Sequence, residues 1–168
     1  KIGCIPIMER TGHSPIKEKM KELKSPLSGE MSGHVCYGDD FYGYDDAMYV
    51  ALRLLRILGN KKENLYEMID QYPKTFSTPE TRFDVDEIKK FKIIDEIKER
   101  LLSFEGNIID IDGIRVETEE GWFLMRASNT QNQLTCRVES TSKNGLKKLI
   151  DIVENQLQLS NVNFKFTI

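Results

Sequence analysis

Apolar positions along the chain recur with two periods, near 2 and near 3.6, and the switches between them divide it into elements. Ile2, Cys4, Ile5, Ile7 and Met8 make a short apolar run over 2–8, read as a buried strand whose pairing Pro6 limits. Ser14 and Pro15, a capping hydroxyl and a first-turn proline, open a helix over 15–24 that carries Ile16, Met20 and Leu23. Residues 35–37 read as a strand. Asp45 and Asp46 then place negative charge at a helix N-terminus. The run 47–58 is apolar on most faces, which predicts a buried helix stopped by Gly59 and Asn60. A short helix over 63–70 closes at Tyr72-Pro73.

Residues 74–79 hold Thr, Ser and Pro with few core positions and mark a boundary between two units, 1–74 and 77–168. The second opens with a strand over 81–85. An amphipathic helix over 87–103 follows, with Ile88, Phe91, Ile94, Ile97 and Leu101 as its apolar row. Asp112-Gly113 between the runs 107–111 and 114–118 is a strong hairpin signal. Residues 122–127 alternate, with Trp122, Leu124 and Arg126 on one face. In 134–140, Leu134, Cys136 and Val138 share a face. Leu146, Leu149, Ile150, Val153 and Leu157 define a helix over 143–158, and 162–168 reads as a last strand. This order predicts an antiparallel sheet with two helices on one face, an α+β unit.

Composition narrows the function. With 168 residues, 39% apolar and 30% charged, the chain has the balance of a folded, soluble protein of one ordinary domain or two small ones. Its net charge of −3, with acids and bases interspersed, lacks the basic excess of a nucleic-acid binder, which disfavours a nucleic-acid platform on the predicted sheet. No run approaches the roughly 18 apolar residues of a membrane span, and the start shows no signal-peptide pattern. Cys4, Cys36 and Cys136 are odd in number and far apart, without a CxxC spacing. They suit a reducing cytoplasm better than a disulfide or zinc framework. The chain opens directly on the 2–8 run without an initiator Met, so it is read as a fragment of a longer protein.

Two loops carry candidate chemistry. Residues 29–34, GEMSGH, bracket Glu30, Ser32 and His34 between glycines. Glycine lets a ligand approach the backbone, and a carboxylate beside a hydroxyl can accept hydrogen bonds from sugar OH groups. The same residues also fit an ordinary Gly-Ser turn after a helix. Residues 126–130, RASNT, leave a strand and enter a polar loop. Arg126 offers a planar fork of donors, Ser128 and Thr130 hydroxyls, Asn129 an amide, and the turn its backbone N–H groups, a set adequate to hold phosphate. A polar hairpin loop with an exposed Arg has that composition too.

Read together, these loops and their surroundings resemble the C-terminal part of the α-D-phosphohexomutases, the phosphomannomutase/phosphoglucomutase family. Residues 11–14 (TGHS) with the Lys-rich helix after them look like that family's third-domain segment, and GEMSGH like its sugar-recognition loop. Residues 42–46 (YGYDD) with the following helix resemble the next segment. Residues 113–116 (GIRV), Gly121-Trp122 and RASNT resemble the fourth-domain phosphate loop and its approach. The resemblance implies a fold of class α/β plus α+β. The latter part of a three-layer α/β third domain (1–74) precedes a fourth domain (77–168) with an antiparallel sheet covered by two helices.

The function it implies is that of an isomerase of carbohydrate metabolism. The family interconverts hexose 1-phosphate and hexose 6-phosphate by intramolecular phosphoryl transfer through a bisphosphorylated intermediate. By that likeness Glu30 and Ser32 contact sugar hydroxyls, Arg10 joins the sugar site, and His13 and His34 lie near the substrate, assisting proton transfer. Arg126, Ser128, Asn129 and Thr130 hold the non-reacting phosphate. The chain lacks the family's Thr-Ala-Ser-His phosphoserine loop and Asp-Gly-Asp-Gly-Asp metal loop. The fragment is therefore expected to hold no cofactor and to be inactive alone, with Mg²⁺ belonging to the complete enzyme. Expected partners are mannose or glucose phosphate, the N-terminal domains, and other copies through exposed edges of the third-domain portion. The alternative is a stand-alone, non-catalytic phosphosugar-binding module from a split or decaying gene. Asn132 stands where relatives usually carry Pro, a change expected to loosen the phosphate loop.

Overall fold

Two amphipathic helices need an apolar surface to lie on, and the antiparallel strands of the second half provide it. The computed structural model describes residues 3–167, which divide into two compact units between Tyr72 and Pro73.

In the first unit α1 (His13–Leu23) is followed by the hairpin strands β1 (Leu27–Gly29) and β2 (Val35–Tyr37), then α2 (Ala47–Gly59) and α3 (Leu65–Asp70). β1 and β2 pair antiparallel, with Leu27 opposite Tyr37 and Gly29 opposite Val35. Gly12, not Ser14, caps α1. Ser14 and Pro15 fall inside its first turn, where Pro lacks only an N–H that would have had no helical partner. α2 is capped by Asp46, whose carboxylate accepts the Tyr49 N–H at 2.9 Å. Asn64 and Glu67 form a reciprocal capping box on α3.

Two expectations fail here. Residues 4–10 form no strand, and Ile5 is 83% exposed; Ile2 lies outside the described residues. An apolar run needs a neighbouring strand to complete its hydrogen bonds, and none of the described residues offers one to it. Nor is α2 buried: none of its described residues is, and Met48, Leu52 and Leu55 stand largely in solvent. What attaches α2 is aromatic contact together with the Arg53–Asp39 ion pair at 2.6 Å. Tyr49 stacks on Phe41 at 3.8 Å and meets Tyr37 edge-on, and the Arg53 guanidinium lies 4.4 Å from the Tyr37 ring centroid.

The second unit comprises β3 (Phe76–Ser77), β4 (Thr81–Asp84), α4 (Lys90–Leu101), β5 (Asn107–Ile109), β6 (Ile114–Thr118), β7 (Gly121–Ala127), β8 (Gln133–Ser140) and α5 (Lys143–Leu159). Its strands run in the order β3-β8-β7-β6-β5, with β4 also paired to β8, and every pairing is antiparallel. Alternation sends Ile114, Val116, Phe123, Met125, Leu134, Cys136 and Val138 to one face, where all are fully buried under α4 and α5. Ile97 and Leu101 of α4 and Leu149, Val153 and Leu157 of α5 meet them. Each large side chain so removed from water contributes about 1.5–3 kcal/mol, so this cluster dominates the unit's stability. On the opposite face the Arg115 guanidinium lies 3.8 Å from the Trp122 ring centroid.

The inward row of α4 is Lys90, Ile93, Ile94, Ile97 and Leu101 rather than one containing Ile88 and Phe91. The 87–89 turn precedes the helix, tied by Asp86 to the N–H groups of Ile88, Lys89 and Lys90. That turn leaves Ile88 90% exposed and rotates Phe91 outward. The expected last strand is also absent: 162–167 has no ladder partner, and Ile168 lies outside the described residues. This tail instead runs as an extended segment whose Val162, Phe164 and Phe166 pack on the core, with Phe164 stacked on Phe83 at 4.2 Å. The buried Glu154 carboxylate accepts the Phe166 N–H at 2.8 Å and pairs with Lys165. No helix of the described residues is long and apolar enough to cross a membrane.

Ile97→Ala opens a cavity in the centre of the core and is expected to cost about 2–5 kcal/mol. Leu52→Ala, on the solvent side of α2, should change stability by no more than about 0.5 kcal/mol. Urea titrations followed by far-UV circular dichroism measure both, and equal losses would overturn this burial pattern.

Candidate functional site

The hairpin between β1 and β2 is closed by its own backbone. Glu30 N–H donates to the His34 carbonyl at 2.9 Å, Gly33 N–H donates to the Glu30 carbonyl at 3.1 Å, and Gly33 takes φ 92°, which a side chain would resist. The loop is fastened to α1 because Gly12 N–H donates to Glu30 Oε1 at 3.1 Å. The half-buried carboxylate therefore sits at the positive end of an 11-residue helix, where negative charge is favoured.

His34 is oriented from the other side. Its Nδ1 contacts the Asp45 carboxylate, and Asp45 is mounted between a β-bridge to Cys36 and the α2 cap at Asp46. With Nδ1 engaged, Nε2 is the ring nitrogen left for a ligand. The Asp45 hydrogen bond, then its negative charge, hold the His34 pKa above the ordinary imidazole value, with Glu30 adding to the effect. His13 is the first residue of α1, and its Nδ1 lies 3.3 Å from Ser14 Oγ.

Gly12, His13, Lys17, Glu30, Ser32, His34 and Asp45 line one cavity of about 420 Å³. The structure thus gathers Glu30, Ser32, His34 and His13. Arg10 is not in that lining; it is exposed, 3.7 Å from the Glu9 carboxylate. Lys17 and Asp45 are the additions that the sequence reading does not single out. The signal for Lys17 is its place one turn after His13. Asp45 reads from sequence as a helix-terminus charge, and only folding reveals it as the partner of His34.

The second loop joins β7 to β8 in the other unit. Arg126 points away from the core and lies 3.7 Å from the Asp112 carboxylate, too long for a direct hydrogen bond. Gly113 (φ 78°) packs so closely here that a Cβ on it would fall 2.4 Å from the Met125 carbonyl oxygen and 2.5 Å from Arg126 Cβ. Ser128 N–H donates to the Gln133 carbonyl at 2.9 Å and closes the loop. Ser128 Oγ accepts from Gln131 N–H at 3.1 Å and, more weakly, from Thr130 N–H at 3.4 Å. An oxygen used in this way keeps its own hydrogen to donate to an anion. Asn129 and Thr130 are exposed at the tip.

A larger cavity, about 530 Å³, runs along residues 83–86, the first turns of α4 and the tail at 160–164, and holds none of the sequence-predicted residues. Of the cysteines, Cys4 is exposed while Cys36 and Cys136 are buried, and burial pushes the Cys136 thiol far above its ordinary range.

Comparison with known proteins matches residues 1–76 to the description "phosphoglucomutase/phosphomannomutase, alpha/beta/alpha domain III" and residues 80–156 to that family's C-terminal domain. A phosphomannomutase/phosphoglucomutase of Pseudomonas aeruginosa is 42% identical over 156 residues, covering 93% of this chain and 34% of that protein. A phosphoglucomutase of Neisseria gonorrhoeae is 41% identical over 146 residues, covering 85% of this chain and 31% of that protein. The crystal structure of a phosphoglucomutase/phosphomannomutase family protein from Burkholderia thailandensis aligns with TM-score 0.84 at 35% identity, over 97% of this chain and 34% of that one. The chain thus spans about a third of the length of the curated relatives it matches.

Asp45→Asn is expected to lower the His34 pKa, read from the imidazole proton shifts in an NMR pH titration. Because the folded-state pKa is raised, the His34–Asp45 pair stabilises the fold fully below the unfolded imidazole value of about 6.5. That contribution fades as pH rises through the folded value. An unchanged His34 titration in the variant would overturn this account.

Proposed function

Because the chain belongs to the phosphoglucomutase/phosphomannomutase family, we propose that it supplies the sugar-holding and phosphate-holding portion of a phosphohexomutase. Such an isomerase moves a phosphoryl group between the 1- and 6-hydroxyls of a hexose. The observation that carries this reading is the convergence of Glu30, Ser32, His34 and His13 on one cavity. Glu30, held at the α1 N-terminus, accepts hydrogen bonds from sugar hydroxyls, and Ser32 can donate or accept beside it. His34, turned by Asp45 to present Nε2, takes a proton from a hydroxyl or returns one, with the carboxylate supporting the charged ring. His13 assists from the start of α1.

Arg126, Ser128, Asn129 and Thr130 hold the phosphate that is not being transferred. A guanidinium–phosphate contact is shorter and stronger than the 3.7 Å approach to Asp112 that it would replace. Phosphoryl transfer itself is assigned to the rest of the enzyme, and the isolated chain is expected to be inactive. The Mg²⁺ of the complete enzyme is assigned, with the phosphoserine, to the domains outside this chain. The exposed apolar residues of α2 support a partner in the remaining domains.

Calorimetric titration with mannose 6-phosphate or glucose 1-phosphate tests the reading. Arg126→Ala and Glu30→Ala should each weaken binding by about tenfold or more, the scale of a lost hydrogen bond to a charged group, with unchanged circular dichroism. Binding insensitive to both substitutions would sink the two loop assignments, and turnover by the chain alone would sink the placement of phosphoryl transfer elsewhere.

A further inference from the structure

Lys90 has no part in the function proposed above, yet it is only 4% exposed. A lysine ammonium is almost never buried unless it is paired, because taking the charge out of water is costly. Its Nζ donates to the Gln131 carbonyl oxygen at 2.9 Å and lies 5.3 Å from the centroid of the Phe91 ring. Gln131 directly follows Thr130, the last residue of the RASNT segment. The buried charge is thus spent on the backbone of the anion loop, 41 residues away in sequence.

Lys90 does not act alone. Val85 N–H donates to the Asn132 carbonyl at 2.8 Å, and Gln133 Nε2 donates to Asp84 Oδ1 at 2.9 Å. Three consecutive residues, Gln131, Asn132 and Gln133, are each gripped by the stretch from the end of β4 to the first residue of α4. Ser128 Oγ fastens the loop from inside through Gln131 N–H. These external hydrogen bonds restrict the backbone of 131–133. A carbonyl oxygen turned toward an anion repels it, and an ammonium bound to the Gln131 oxygen keeps that oxygen engaged elsewhere.

We propose that Lys90 is a positioning residue for the phosphate loop: its buried ammonium pins the Gln131 carbonyl, and through it the presentation of Ser128, Asn129 and Thr130. This rests on the reading of that loop as a phosphate site. It also gives the turn at 84–89 a role, since that turn carries the clamp.

The test compares the full chain with Lys90→Met, which keeps the buried stem and removes the donor, and with Lys90→Arg, which restores a charged donor. Amide hydrogen exchange without ligand should show the 128–132 amides exchanging about tenfold faster or more in Lys90→Met, with β7 and α5 amides unchanged. Inorganic phosphate, titrated by NMR, should bind about tenfold more weakly in Lys90→Met and recover in Lys90→Arg. A folded Lys90→Met variant with unchanged loop exchange and unchanged phosphate affinity would overturn the proposal. Should Lys90→Met not fold, the wild-type chain decides: a Gln131 amide exchanging at the rate of an unstructured peptide means the loop is not pinned. A wild-type chain that takes no phosphate sinks the reading of the loop instead, and the exchange rates still decide whether Lys90 holds it.

Discussion

The register of β7 against β8 is the constraint on which the second unit depends. Seven residue pairs, from Gly121 opposite Ser140 to Ala127 opposite Leu134, fix which side chains enter the core. Side chains alternate along a strand, so a slip of one residue would send Arg126 inward and Met125 into water. The cost of burying an unpaired guanidinium is far larger than any gain from the slip. Apolar burial on one face therefore decides the aim of the cation on the other, and the loop at 126–130 inherits its geometry from Phe123, Met125, Leu134 and Cys136.

The first unit is built on different terms. Among its described residues Met20 and Cys36 are the buried apolar side chains, so little of its order comes from a core. Its candidate site is held by directed contacts: Gly12 to Glu30, His34 to Asp45, Arg53 over the Tyr37 and Tyr49 rings, and Phe41 stacked on Tyr49. Such contacts are individually modest and depend on one another, because each fixes the angle at which the next can form. The Glu30 carboxylate and His34 imidazole are arranged by hydrogen bonding, whereas the Arg126 guanidinium is arranged by packing.

How much of this was legible in the sequence follows from the same distinction. The alternation of β8 and the apolar row of α5 are local patterns, and they appear in the structure as read; the 107–118 hairpin also forms, but β5 ends at Ile109 and a loop over 110–113 replaces the two-residue turn. The runs at 2–8 and 162–168 have strand-like composition, but a strand exists only with a neighbour, and residue pattern does not specify one. The apolar sequence of α2 likewise says what the helix needs, not what is present to cover it. In α4 the turn built by Asp86 shifts the helix start, and that shift exchanges Ile88 and Phe91 for Lys90 and Ile93 on the inner face. Both loops were readable because their donors and acceptors are contiguous. Asp45 and Lys90 were not, since the partner of each lies 11 or more residues away, and Lys17 enters only through the cavity that folding assembles.

Trp122, the sole tryptophan of the chain, lies under Arg115 on the outer face of the second unit's sheet. All indole fluorescence of this chain therefore originates there, four residues along the same strand from Arg126. The chain's one indole thus reports from the unit that holds Arg126 and not from the unit that holds Glu30.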